Sequence, residues 1–294
     1  MNIVQFNPVN KAMVKKFIHL PFRIYHDNPY WVPPLLVDEQ ARFNLHRYPF
    51  YRDSEAAFFL ATQGDEVVGR LAVLNNRLYN CHNQENTAFF YLFECEDQPE
   101  VASQLFDSAF KWVSDRKLTK IIGPKGFTTL DGFGLLVKGF DHRPALGIPY
   151  NPPYYSNLLE GLGFQPSSES VSGYLDANLK FPERIHELSE RIQKRRGLSI
   201  ARFKKRSDLK TLIPHLKDLY NGALQGTEDG TPLTDADATA LANQILWFAD
   251  PALIKIVVKT DPLDQKKKQM VGFLLAYPDI SAAIQRCRGR LFPF

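Results

Sequence analysis

Cysteine is scarce in this chain. Cys81, Cys95 and Cys287 are an odd number with no paired spacing and no C-x-x-C. That excludes a disulfide framework, offers no tetrahedral zinc set, and fits a reducing cytoplasm. The seven histidines are equally thin and show no H-x-x-x-H or other ligand spacing, so no metal is expected. No apolar run approaches the ~20 residues that span a bilayer, the densest being Ala56–Ala61. The opening Met1-Asn2-Ile3-Val4-Gln5 lacks the basic and apolar regions of a signal peptide. A net charge of +4 is too small to imply nucleic acid without a focused patch. These absences give the expectation of a soluble, cytoplasmic protein with no nucleic-acid partner, and they leave a peripheral contact at the inner membrane open.

What the chain does have is length and aromatic bulk. Its 294 residues suit two domains, and 22 Phe, 12 Tyr and 20 Pro promise well-filled cores and fixed loops. Ile3–Phe6 reads as a strand, and Asn10 as the cap of a helix through Met13, Phe17 and Leu20–Phe22. After the rigid loop Asp27–Pro34 comes a polar helix near Leu35–Leu45. Ala57–Ala61 and Val67–Leu74 are strands joined by Gln63-Gly64-Asp65, a hairpin signal, and the almost wholly apolar Thr87–Phe93 predicts a central strand. Asp97-x-x-Glu100 resembles a capping box before a helix striped by Val101, Leu105, Phe106, Ala109, Phe110 and Val113. Ile121–Ile122, a helix opened by Asn151-Pro152-Pro153, and Val171–Leu175 as a closing strand complete the first unit.

Phe181–Arg196 reads as a charged connecting helix, after which the pattern restarts. Ile200–Phe203 echoes Ile3–Phe6, helices are predicted from Ser207 to Leu224 and from Thr234 to Phe248, and Leu253–Val258 with Met270–Tyr277 forms a second hairpin. Val271-Gly272-Phe273-Leu274 stands where Val68-Gly69-Arg70-Leu71 stood, so the two stretches make an internal repeat. The expected division is a first domain over 1–178, a basic connecting helix over 179–198, and a second, partial domain over 199–294.

The element order, and a set of phrases, resemble the GNAT superfamily of acyltransferases, in particular the YghO-like branch grouped with bacterial ceramide synthases. The phrases are Asp27-Asn28-Pro29-Tyr30-Trp31-Val32-Pro33-Pro34-Leu35, Glu55–Ala61, Gly123-Pro124 with Phe127, Gly134–Val137 with Gly139-Phe140-Asp141, Tyr150-Asn151-Pro152-Pro153-Tyr154-Tyr155, and Gly289-Arg290-Leu291-Phe292-Pro293. The resemblance covers nearly the whole chain. It implies a tandem α/β architecture, each domain a mostly antiparallel sheet flanked by helices. It also implies an N-acyltransferase that takes acetyl-CoA or a long-chain acyl-CoA as donor and a small-molecule or lipid-like amine as acceptor. GNAT enzymes hold the CoA pyrophosphate on a loop of pattern Q/R-x-x-G-x-G/A at a helix N-terminus. Here the equivalent stretch reads Glu94-Cys95-Glu96-Asp97-Gln98-Pro99-Glu100, without glycine and with four carboxylates. The second domain stops before its own loop, so no intact CoA site is expected in this chain.

Within that resemblance Glu94 stands where a GNAT base is often placed, and Tyr154 or Tyr155 where a tyrosine acts as general acid. Plainer readings stand beside these: Glu94 as a helix cap, the two tyrosines as packing residues, Asn151 as the cap of its helix. The aromatic loops Tyr25–Trp31 and Phe127–Phe133 would suit an apolar acceptor, which makes Trp31, Phe127, Asp131, Tyr150 and Asn151 the expected substrate contacts. Residues 191–206 hold eight Lys or Arg, from Arg191 to Arg206, either a solvated face or a surface for anionic lipid headgroups or the CoA phosphates. Two functions follow: an acyl-CoA-dependent N-acyltransferase, or a catalytically inactive module of the same fold that binds a ligand or partner.

Overall fold

The computed structural model describes residues 1–128, 131–176, 178–203, 205–210, 212–223, 230–246, 249–261 and 268–291. The chain forms two compact units. The first comprises 1–165 with 227–232 and 279–294, and the second 166–226 with 233–278. Read from sequence the divisions fell at 178 and 198; compactness divides the chain at 165 and returns two later stretches to the first unit.

The first unit is built on a five-stranded sheet in the order β1 (Asn2–Phe6), β2 (Glu55–Gln63), β3 (Glu66–Asn75), β4 (Thr87–Cys95), β5 (Lys120–Ile122). Every pairing is antiparallel except β4 with β5, which is parallel and joins only Thr87–Phe89 to Lys120–Ile122. Helix α1 (Lys11–Ile24) starts at Asn10, whose side chain accepts from the Met13 amide. It lays Val14, Phe17 and Ile18 on one face of the sheet, in a cluster with Phe58, Leu60, Leu74, Phe89 and Phe127. Helix α2 (Leu36–Arg42) follows the proline loop, and α3 (Arg77–Asn83), capped by Asn76, sits between β3 and β4. The polar run Arg77–Asn83 hides α3 from an apolar-period reading, because it buries Tyr79 alone.

Helix α4 (Pro99–Asp115) covers the opposite face with Val101, Leu105, Phe106, Ala109 and Val113, as its stripe requires. The capping box is not formed: the N-cap is Gln98, which makes no side-chain cap, and its amide instead donates to Glu96 Oε2 at 2.9 Å. Helix α5 (Tyr155–Gly161) packs Tyr155, Leu158 and Leu159 against the same face. Val171–Leu175 forms no strand; Val171, Tyr174 and Leu175 are exposed.

The second unit opens with α6 (Glu183–Arg196), stopped at the left-handed Gly197, and a three-stranded antiparallel sheet in the order β6 (Leu198–Ala201), β7 (Lys255–Thr260), β8 (Lys268–Leu274). Order and pairing repeat those of β1–β3, with a register shift again in the middle strand. The single helix expected over 207–224 is two, α7 (Arg206–Lys210) and α8 (Ile213–Ala223), because Pro214 can sit in a first turn but not in a continuing helix. Helix α9 (Asp235–Leu246) begins at Thr234, whose hydroxyl accepts from the Asp237 amide at 3.1 Å. Leu224, Phe248, Lys204, Phe292 and Pro293 lie outside the described residues. A last helix, α10 (Ser281–Arg286), belongs to the first unit.

Candidate active site

The site is assembled around an interruption in β4. The β3 register runs Arg70 against Glu94 and then Ala72 against Tyr91, so Leu71 faces two residues, and Leu92 takes φ +52°. This bulge bends the strand and re-aims the residues after it. Glu94 and Arg70 end up directly opposite on the face that α1 covers. Arg70 Nη2 lies 3.5 Å from Glu94 Oε1, with the side chains 4% and 13% exposed.

Two tyrosines complete the carboxylate. Tyr25, at the C-cap of α1, donates to Glu94 Oε2 at 2.8 Å, and Tyr155, at the start of α5, donates to the same oxygen at 2.7 Å. Burial raises the proton affinity of Glu94, and the Arg70 charge and the tyrosine hydrogen bonds oppose that rise without cancelling it. Burial, reinforced by the Glu94 charge, likewise pushes the Tyr25 and Tyr155 hydroxyls far above the ordinary phenol range. The cluster therefore holds a carboxylate poised high and two hydroxyls that stay protonated.

Arg70 is fixed from its far side by α1. Pro21 lies inside that helix and has no N–H to give the Phe17 carbonyl, the partner four residues back. Arg70 Nη1 supplies the missing donor at 2.9 Å, and its guanidinium lies 4.9 Å from the Phe17 ring centre. The proline that interrupts α1 thus creates the acceptor that orients the cation beside Glu94.

Beyond Phe89, β5 no longer pairs with β4; the Lys125 amide still donates to the Phe90 carbonyl at 2.9 Å, and at Cys95 side chains take over the strand edge. The Cys95 amide donates to the Tyr155 hydroxyl at 2.9 Å, and the Tyr154 hydroxyl donates to the Cys95 carbonyl at 2.8 Å. Tyr154 is half-buried, and burial raises its pKa, helped by Cys95 and Glu94. The Cys95 thiol is itself buried and pushed up to about 12.

The loop after α1 walls the site. Trp31 stacks on Tyr25 with ring centres 4.7 Å apart, and Tyr150 meets Tyr25 edge-on at 6.3 Å. Asn28 ties the two arms together, accepting from the Trp31 amide and donating to the Tyr150 hydroxyl at 3.1 Å. From the C-terminal helix, Gln285 donates to the carbonyls of Pro29 and Trp31 at 2.7 and 3.0 Å.

Five of the residues named from sequence are therefore neighbours: Glu94, Tyr154, Tyr155, Trp31 and Tyr150. Asn151 does something other than cap α5, whose N-cap is Tyr154. Its side chain accepts from the Leu136 amide at 2.7 Å and donates to the Leu136 and Pro152 carbonyls, pinning the loop before the site. Phe127 and Asp131 belong to a second buried cluster. Phe127 is 2% exposed among Tyr48, Phe50 and Phe58, so it fills the core. Asp131 pairs with Arg42, which also holds Glu39 at 3.0 Å. Sequence reading had Tyr25 and Asn28 only as parts of an aromatic loop, and it missed Arg70, Arg42 and Glu39. A lone arginine in the apolar strand Val67–Leu74 was the signal available for Arg70.

The stretch expected to cradle a pyrophosphate is the turn Glu96–Gln98 into α4, and it does not fit one. Glu96 pairs with Arg23 at 2.7 Å, Pro99 opens the helix without an N–H, and no glycine lets the backbone approach. Among the described residues, no group of His, Cys, Asp and Glu could hold a metal ion, and no helix is long and apolar enough to cross a membrane.

No family model matches the chain. It is 28% identical over 287 residues to the bacterial ceramide synthase of Caulobacter vibrioides (strain NA1000 / CB15N), covering 96% of this chain and 72% of that protein. It is 24% identical over 291 residues to protein YghO of Escherichia coli (strain K12), covering 97% and 71%. Among solved structures, a tandem GNAT protein from the clavulanic acid biosynthesis pathway is similar over 92% of this chain and 72% of its own, at 12% identity and a TM-score of 0.48. An aminoglycoside acetyltransferase from an uncultured soil metagenomic sample covers 61% and 96%, at 11% identity and a TM-score of 0.35. The chain, a mixed α/β protein of antiparallel-dominated sheets flanked by helices, is a homologue of YghO and of bacterial ceramide synthase along nearly all of its length.

Proposed function

We propose that this chain is an N-acyltransferase that moves an acyl group from acyl-CoA to an amine, with Glu94 as the base. The observation that carries the reading is the buried Glu94 carboxylate, raised in proton affinity and held by Tyr25, Tyr155 and Arg70. A base poised above the ordinary carboxylate range suits deprotonation of an amine near neutral pH. The amine nitrogen attacks the thioester carbonyl carbon. As the N–C bond forms its proton passes to Glu94, and as the C–S bond breaks the sulfur takes a proton from the Tyr154 hydroxyl, which solvent restores. Tyr155 and Tyr25 are positioning residues in this scheme. Trp31 and Tyr150 give an apolar, aromatic wall for the acceptor. A relative named a ceramide synthase supports a lipid-like amine.

The carboxylate-rich entry to α4 favours a second reading, a catalytically inactive module that binds a ligand or partner. One set of measurements separates the two: transfer from acetyl-CoA and palmitoyl-CoA to long-chain amines, together with thermal shifts against both donors and free CoA. A ligand at 100 times its dissociation constant adds about 2.7 kcal/mol to the native state. Turnover that falls by about 10²-fold or more in Glu94→Gln, with the fold retained, supports the enzyme. Neither turnover nor a shift with any donor leaves the binding module.

A further inference from the structure

The basic segment singled out in the sequence acquires a partner in shape. In α6 no residue is buried, and Ile185, Leu188 and Ile192 are 46%, 52% and 41% exposed. At 3.6 residues per turn these three share an arc of about 60°. Arg195 and Arg196 border that arc on its two sides, and Arg184 and Arg191 follow on one flank. Glu183, Glu187, Glu190 and Lys194 occupy the opposite side, with His186 and Gln193 between. The side carrying Glu190, Gln193 and Lys194 is the one turned to its own unit, where it lines a shallow hollow of about 410 Å³ with Gly197, Leu198, Ser199 and Thr260. The apolar stripe therefore faces away from the sheet of its own unit. Leu179 and Phe181, just before the helix, are exposed as well, at 52% and 53%.

We propose that α6 is a docking helix for an anionic lipid bilayer. It lies in the interface with Ile185, Leu188 and Ile192 among the upper acyl chains and Arg184, Arg191, Arg195 and Arg196 at the phosphates. The argument is one of matched chemistry. An exposed apolar stripe is costly in water, and its bordering guanidiniums pair bidentately with phosphate while their stems lie along apolar surface. The acids that would be repelled by an anionic surface are on the far side of the helix. A solvated charged helix would need no stripe, and a helix made for an apolar protein groove would need no arginines along both edges.

The test is co-sedimentation of the whole chain with vesicles of phosphatidylcholine alone and with about one third phosphatidylglycerol, at low and high salt. No acyl donor is present, so the result is independent of the transfer reading. The chain is expected to sediment with the anionic vesicles and to be weakened by salt. Binding should drop by about tenfold or more both in Ile185→Ser/Leu188→Ser/Ile192→Ser and in Arg184→Gln/Arg191→Gln/Arg195→Gln/Arg196→Gln. Because α6 buries nothing, both variants should keep the wild-type circular dichroism. Leu188→Trp gives a second reading, with a blue-shifted emission on anionic vesicles. Three outcomes overturn the proposal: no binding to anionic vesicles, undiminished binding by the serine variant, or a wild-type dimer that the serine variant dissociates. The last would make the stripe a self-association surface.

Discussion

Glu94 is a carboxylate in apolar surroundings, faced by the Arg70 cation across one strand pair. Its raised folded-state pKa fixes a sign. The group's contribution to stability is full at acid pH and is lost as pH rises through that folded value. Activity runs the other way, because the base is competent only when ionised. The acid limb of kcat/KM is therefore expected above the ordinary carboxylate range, and Glu94→Gln should remove it. Arg70→Met strands the charge, and should cost roughly 3–5 kcal/mol at neutral pH, with the deficit shrinking toward acid pH. Urea melts at two pH values test this, and an Arg70→Met/Glu94→Gln double variant should recover most of the loss. Of this arrangement, sequence offered Glu94 and the tyrosine pair. It offered Tyr25 only as the edge of an aromatic loop and not as a partner of Glu94, because nothing local says that the end of α1 meets the end of β4.

At the scale of elements, what was legible was what has a period or a cap. The hairpin of β2 and β3, the stripe of α4 and the Asn10 cap all follow from local chemistry. Two of the errors show what local chemistry lacks. Asn151 looks like a helix cap because Asn before Pro-Pro has that chemistry, yet its amide closes on Leu136, fifteen residues back. Val171–Leu175 has strand composition but pairs with no strand among the described residues, and composition alone cannot supply a partner. Asn151→Ala breaks three bonds of a buried side chain and should cost about 1–3 kcal/mol. At roughly 2–4 °C per kcal/mol that is a visible fall in the thermal midpoint. An unchanged midpoint would remove Asn151 from the loop's supports.

For the whole molecule, the segment 279–294 returns to the first unit. The phrases around Asp27–Leu35 and Gly289–Leu291 lie at opposite ends of the sequence, and they meet. The Leu36 amide, the first of α2 and without a side-chain cap, donates to the Gly289 carbonyl at 2.9 Å. Gly289 has φ +72°, and a Cβ there would stand 2.2 Å from the Pro34 carbonyl oxygen. Gly289→Ala is thus expected to push apart the loop that carries Trp31, lowering both the thermal midpoint and any transfer activity. A variant with the wild-type midpoint would mean that the contact bears no weight. No reading of local pattern could have joined these phrases, since their relation exists only once the chain has closed.

The thiol beside Glu94 makes the strand its own clock. Cys81 and Cys287 are exposed, whereas Cys95 is buried with its thiol held up to about 12, so at neutral pH it has almost no thiolate to react. Iodoacetamide should add two labels quickly and a third only as β4 opens. The lag before the third mass increment would then time the opening of the site strand, with no probe introduced. A simultaneous triple adduct in the native protein would mean that β4 breathes freely at Cys95.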